Sequence, residues 1–174
     1  MLDPLDRPPL QLEAMLGVLA EHEVQWVLSG SVARAAYGAR IEPNDLDVVP
    51  ATHPTNLRRL ARVLRDLAAV PTHHPGWAPG LSVAECMAWT AEPLDAERFD
   101  HVFVTRLGLL DVPTRLTGTY AQLRPGASLR PLGGQLVWVC DPATVLRGVA
   151  STDRAKDRER AAAYERVRRR LAGC

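Results

Sequence analysis

Two aspartates one residue apart, Asp45 and Asp47, stand inside an apolar run, DLDVVP, in the stretch VLSGSVARAAYGARIEPNDLDVVP. Val and Leu around them favour an extended strand. Successive strand side chains point to opposite faces, so Leu46 and Val48 enter a core while both carboxylates share the other face. At about 3.3 Å per residue their stems lie about 6.6 Å apart. Two carboxylates side by side repel, and burying either without a partner costs several kcal/mol. The strand therefore belongs at a surface that something cationic completes, or it ends in solvent beside Pro43-Asn44.

The chain before this strand supplies a complement. Val24–Leu28 reads as a short strand that stops at Ser29-Gly30-Ser31, and thirteen residues separate Ser31 from Asp45. Glycine lets the backbone approach a phosphate closely, and Ser31 offers a hydroxyl as donor or as cap of a helix over residues 32–37 that Gly38 stops. Hydrated divalent cations relieve the repulsion between paired carboxylates. Magnesium takes oxygen ligands and keeps waters or phosphates in its other positions. A phosphate grip followed by a carboxylate pair is what phosphoryl or nucleotidyl transfer needs, since positioning and charge neutralisation do nearly all the work there.

The rest of the chain interleaves both element types. Leu10–Glu21 has helical apolar spacing, and Pro54–Ala69 shows it more cleanly at residues 57, 60, 61, 64, 67 and 68. Residues 70–97, rich in Pro, His, Gly and Trp, predict irregular structure with one short strand near 81–83. Asp100–Thr105 and Gly108–Val112 predict a hairpin, Tyr120–Leu123 a helical turn, and Gln135–Cys140 a strand before an Asp141-Pro142 helix start. A last helix is expected over 153–171. The expectation is an α+β chain whose mixed β-sheet is flanked by helices. One domain over 1–174 is expected, with a core at about 10–140 and a C-terminal helical segment at about 141–174.

Composition excludes several classes. With 47% hydrophobic and 24% charged residues the chain is ordinary for a globular protein. No apolar run approaches the roughly 20 residues of a membrane span, and MLDPLDRPPL lacks a signal peptide's regions, so a cytoplasmic location without membrane partner is expected. Cys86, Cys140 and Cys174 have no metal-ligand spacing and read as reduced thiols; His73-His74 with Cys86 fits no zinc pattern. Arg147–Arg170 holds nine basic and four acidic residues, either a solvated helix face or an attraction for phosphate-rich partners. Lys156 is the single lysine among 21 basic residues, and a compact ammonium differs from a guanidinium fork. Arg34 and Arg40, between the motif halves, could contact phosphates but read rather as solvent-exposed. Trp26, Trp89 and Trp138 read as core residues, and Trp77, among Pro and Gly, could line a pocket.

Gly30-Ser31, the thirteen-residue spacer and Asp45-Leu46-Asp47-Val48 resemble the signature of the polymerase-β-like nucleotidyltransferase superfamily. The order of elements, from first helix to Asp-x-Asp strand, is similar too. The Arg154-Ala155-Lys156-Asp157 stretch resembles the end of small bacterial members, including abortive-infection toxin types. The resemblance implies the nucleotidyltransferase fold and a third acid on a later strand, matched by Asp111 in GLLDVP. It implies catalytic and metal-holding roles for Asp45, Asp47 and Asp111. Gly30, Ser31, Arg147 and Lys156 would contact the nucleotide. Magnesium or manganese would be the cofactor, a nucleoside triphosphate the substrate, and a tRNA end, a protein or a small hydroxylated compound such as an aminoglycoside the acceptor. A toxin of this type would have an antitoxin partner. Where relatives carry a lysine one turn before Arg-x-Lys-Asp, this chain has Val149 or, one register off, Arg147. That departure motivates an alternative: an inactive nucleotide-binding or protein-interaction module on the same fold. A metal-dependent phosphodiesterase recruiting His101 ranks behind both.

Overall fold

Strand β2 (Asp45–Pro50) is the organising element, because it pairs antiparallel with β1 (Trp26–Leu28) on one side and parallel with β5 (Gly108–Asp111) on the other. The structure, a computed structural model, describes residues 2–75, 80–115, 117–150 and 161–172. Among these, seven strands form one mixed sheet in the order β3-β4-β5-β2-β1-β7-β6. The remaining strands are β3 (Val70–Pro71), β4 (Val102–Thr105), β6 (Ser128–Leu132) and β7 (Gln135–Val139). The expected alternation holds on β2. Leu46 and Val48 are fully buried, while Asp45 and Asp47 are half-buried on the other face. Burying each such aliphatic side chain contributes about 1.5–3 kcal/mol, which fixes the strand's register and so the acids' direction.

Helices cover the sheet. Helix α1 (Leu12–Glu21) and helix α3 (Pro54–Asp66) bring Met15, Leu16, Leu19, Leu57, Leu60 and Leu64 into one core with the strands. Helix α3 begins at Pro54, suited to a first turn whose N–H groups lack partners. Its buried Asn56 fixes the helix to the sheet: the side chain accepts from Gln25 N–H at 2.7 Å and donates to Gln25 C=O at 2.9 Å and Ala51 C=O at 2.8 Å. Helix α2 (Gly30–Ala36) links β1 to the loop before β2. Helix α6 (Pro142–Ala150) follows β7, and α7 (Ala161–Ala172) packs Ala163, Tyr164 and Val167 into the core. Residues 153–160 of the expected last helix lie outside the described residues, as does Trp77.

Three expectations need correction. The irregular stretch 70–97 contains β3 and a helix, α4 (Val83–Ala88), where a strand was expected near 81–83. A capping box starts that helix: Ser82 Oγ accepts from Glu85 N–H at 3.3 Å, and Ser82 N–H donates to Glu85 Oε2 at 2.8 Å. Strand β6, absent from the sequence reading, forms a hairpin with β7 through Gly133-Gly134, both at positive φ (53° and 76°), as a two-residue turn matching strand twist requires. Trp26, Trp89 and Trp138 pack against the core without being enclosed by it. Helix α5 (Tyr120–Leu123) is the short turn expected.

Candidate active site

The bend between β1 and α2 faces the acids of β2. Gly30 has φ +63°, and a Cβ built on it would overlap the Asp47 carboxylate. The carboxylate thus lies directly on the glycine backbone, and only a residue without a side chain allows that approach. The backbone N–H of Ser29 donates to the Asp47 carbonyl at 3.1 Å, which locks the bend to the strand. Ser31 Oγ donates to Asp45 Oδ1 at 3.3 Å. Both acids therefore face Gly30-Ser31 from the same strand face.

Ser31 is not the helix cap. Helix α2 already includes Gly30 and Ser31, and its N-cap position is Ser29, whose side chain makes no capping bond. Ser29 Oγ instead donates to Thr117 Oγ1 at 3.0 Å. Turning Ser31 into the helix aims its hydroxyl at Asp45.

Asp111 joins them through the sheet. The parallel register of β2 and β5 sets Asp47 opposite Asp111 and Asp45 opposite Leu109. Side chains opposite each other in a ladder share a face, so all three acids project from one face of the sheet. Among the described residues, no three Asp, Glu, His or Cys side chains are gathered closely enough to hold a metal by themselves. The donor set of the β2 pair nevertheless fits magnesium, which binds through one or two carboxylates and fills its octahedron with waters and substrate phosphates. A cavity of about 410 Å³ opens beside Asp45 on the β5 flank. The segment Arg7–Leu10 walls it, with Pro43, Asn44 and Leu109. That segment is fastened by Gln11 N–H donating to Leu107 C=O at 2.8 Å and by Arg7 Nη2 donating to His73 C=O at 3.0 Å.

The other expected nucleotide contacts are not brought to the bend by any described contact. Arg147 is exposed on α6 and donates to Thr144 Oγ1 at 3.2 Å, one turn back on its own helix. Lys156 and the rest of Arg154–Asp157 lie outside the described residues, as does the side chain of Val149. Arg40 is exposed as expected, but Arg34 is half-buried against Tyr164. Its position in the last turn of α2 was visible in the sequence; the long-range partner was not.

The remaining titratable groups sit elsewhere. His73 Nδ1 pairs with Leu81 C=O at 2.8 Å and His74 Nε2 with Thr72 Oγ1 at 3.0 Å, the loop roles expected. Burial, then the Arg7 and His73 charges, push the His74 pKa down. Burial lowers His101 against the upward pull of Asp100, and its ring meets Phe103 edge-on at 6.0 Å. Cys86 and Cys140 are free and buried, and burial pushes the Cys140 thiol up to about 12. Among the described residues no helix is long and apolar enough to cross a membrane.

No protein-family model and no curated protein matches the chain. Among solved structures, it is similar to the solution structure of the antibiotic-resistance factor ANT(2'')-Ia, a nucleotidyltransferase. The TM-score is 0.54 at 12% identity, with 90% of this chain and 80% of that one covered. At that identity the likeness concerns architecture. The seven-stranded mixed sheet with its flanking helices is a nucleotidyltransferase fold.

Proposed function

We propose that the chain transfers a nucleoside monophosphate from a nucleoside triphosphate to a hydroxyl acceptor. The observation that carries this reading is the contact of the Asp47 carboxylate with the Gly30 backbone, beside the Ser31–Asp45 hydrogen bond. A bend able to take phosphate oxygens and a pair of acids then border one space.

In this reading Asp45 and Asp47 hold magnesium or manganese, which when bound neutralises phosphate charge and polarises the phosphorus. The β- and γ-phosphates rest on the bend. The Ser31 hydroxyl has a single proton, now given to Asp45. Once that carboxylate's charge is met otherwise, the proton can turn to a phosphate oxygen. The bend lies on the β1 flank of β2 and Asp111 on the β5 flank. An acceptor oxygen arriving from the β5 side would attack the α-phosphorus, with Asp111 taking its proton. The α–β bridging bond would break and pyrophosphate would depart toward the bend, in line with the attack. The cavity beside Asp45 lies on the acceptor's side. Of the acceptors the resemblance implies, a compact hydroxylated molecule suits about 410 Å³.

Incubating the protein with α-labelled triphosphates, magnesium, and either total RNA or a small-metabolite extract tests the reading. Label should move to a component of one pool and stay in the triphosphate with Asp45→Ala/Asp47→Ala. Transfer that survives the double substitution, or none by the wild-type protein, would count against it.

A further inference from the structure

Arg34 stands three residues after Ser31 on α2, and its half-buried side chain lies against Tyr164. Its Nη1 donates to the Tyr164 hydroxyl at 3.4 Å, and its guanidinium carbon lies 5.0 Å from the Tyr164 ring centre. Tyr164 is 1% exposed and belongs to α7, 130 residues further along the chain. Arg34 Nε is buried without a hydrogen-bond partner among the described residues. One cation therefore touches the C-terminal helix from the short helix that also carries Gly30 and Ser31.

Burying an N–H of a half-exposed guanidinium without a partner is costly, so the surrounding packing must hold it there. The cation over the Tyr164 ring offsets part of that cost and fixes geometry, because a planar fork stacks in few orientations. Ser31 and Arg34 lie one turn apart on a seven-residue helix. A helix that short moves as a unit, so a displacement of its last turn is felt at its first.

We propose that Arg34 is a positioning residue: by clasping Tyr164 it ties α7, which packs on α6, to α2, so that docking of α7 and occupancy of the Gly30-Ser31 bend are coupled. This rests on the nucleotide reading above. Coupling is reciprocal: whatever α7 docking contributes to triphosphate affinity, the triphosphate returns to α7 docking.

Amide hydrogen exchange across α7, with and without magnesium–ATP, tests it in wild type and Arg34→Met, which keeps the stem and removes the cation. In wild type, saturating magnesium–ATP should slow α7 exchange about fivefold or more. Arg34→Met should speed α7 exchange in the free protein, abolish the response to nucleotide, and weaken magnesium–ATP binding by the same factor. If that variant fails to fold, Arg34→Lys keeps a cation but not the fork, and should shift all three readouts in the same direction, less far. Unchanged α7 exchange in the free variant would overturn the proposal, as would weakened nucleotide binding with α7 protection intact. Failure of wild type to bind magnesium–ATP removes the nucleotide reading and the coupling together, while exchange in the free protein still decides whether Arg34 seats α7.

Discussion

Gly30 is the residue on which the candidate site turns, because two separate constraints meet there. Its φ of +63° disfavours any side chain, and the space a Cβ would take belongs to the Asp47 carboxylate. Gly30→Ala should cost at least about 1–2 kcal/mol from backbone conformation alone, a fall in Tm of about 2–8 °C for a chain this size. It should also displace Asp47, so magnesium-dependent nucleotide binding should fall further than stability does. Asp45→Asn and Asp47→Asn should each lower the transfer rate about 100-fold or more with Tm little changed, since several kcal/mol of charge stabilisation disappear while the core does not. The juxtaposition of bend and acids was legible in the sequence because a turn, a spacer and a strand leave few ways to arrange thirteen residues. Of the two Ser31 readings, donor and helix cap, the cap does not hold, since α2 begins two residues earlier than expected and the Ser31 hydroxyl turns to Asp45. Arg34 was misread as exposed because its partner lies 130 residues away.

Elements with clear apolar periodicity matched the sequence, and those marked only by a cap or a turn did not. Helix α3 was legible from its apolar spacing, and the β4–β5 hairpin from its two flanking runs. Helix α4 was hidden among prolines and histidines, although Ser82-Val83-Ala84-Glu85 carries the capping-box signal. Strand β6 was hidden because its apolar Leu129 and Pro131 are exposed at a sheet edge while Arg130 takes an inner position, so its pattern marks no buried face; Gly133-Gly134 was its one local mark. Asn56 shows what binds α3 to the sheet. Asn56→Leu leaves Gln25 N–H and Ala51 C=O without their side-chain partner and should destabilise by about 1–3 kcal/mol in urea unfolding. Two histidines contribute to the acid limb. Burial holds His74 and His101 below the usual histidine value of about 6.5, so the unfolded chain takes up protons first as pH falls. Their contribution is complete above about pH 6.5 and shrinks as pH falls from there toward the depressed folded values. Tm should decline as pH falls from about 6.5 to 5, and His101→Gln should flatten that decline; an unchanged profile would show that other groups dominate it.

At the scale of the molecule, the sheet converts local motifs into a site. The sequence placed Asp111 on a later strand, but only the parallel pairing of β2 with β5 sets it opposite Asp47. That register depends on chain reversal through α3, β3 and β4, which no local pattern reveals. The order β3-β4-β5-β2-β1-β7-β6 puts the Gly30-Ser31 bend on one flank of the acids and the cavity on the other, and in the proposed reading triphosphate and acceptor would approach separately. Titrating nucleoside triphosphates into the protein by calorimetry, with and without magnesium, tests most directly whether this geometry holds a chelated polyphosphate. Saturable binding that requires the cation in wild type, and vanishes in Asp45→Asn/Asp47→Asn at unchanged Tm, is the predicted result. Binding that ignores magnesium, survives that double substitution, or fails with all four triphosphates at millimolar concentration would contradict it.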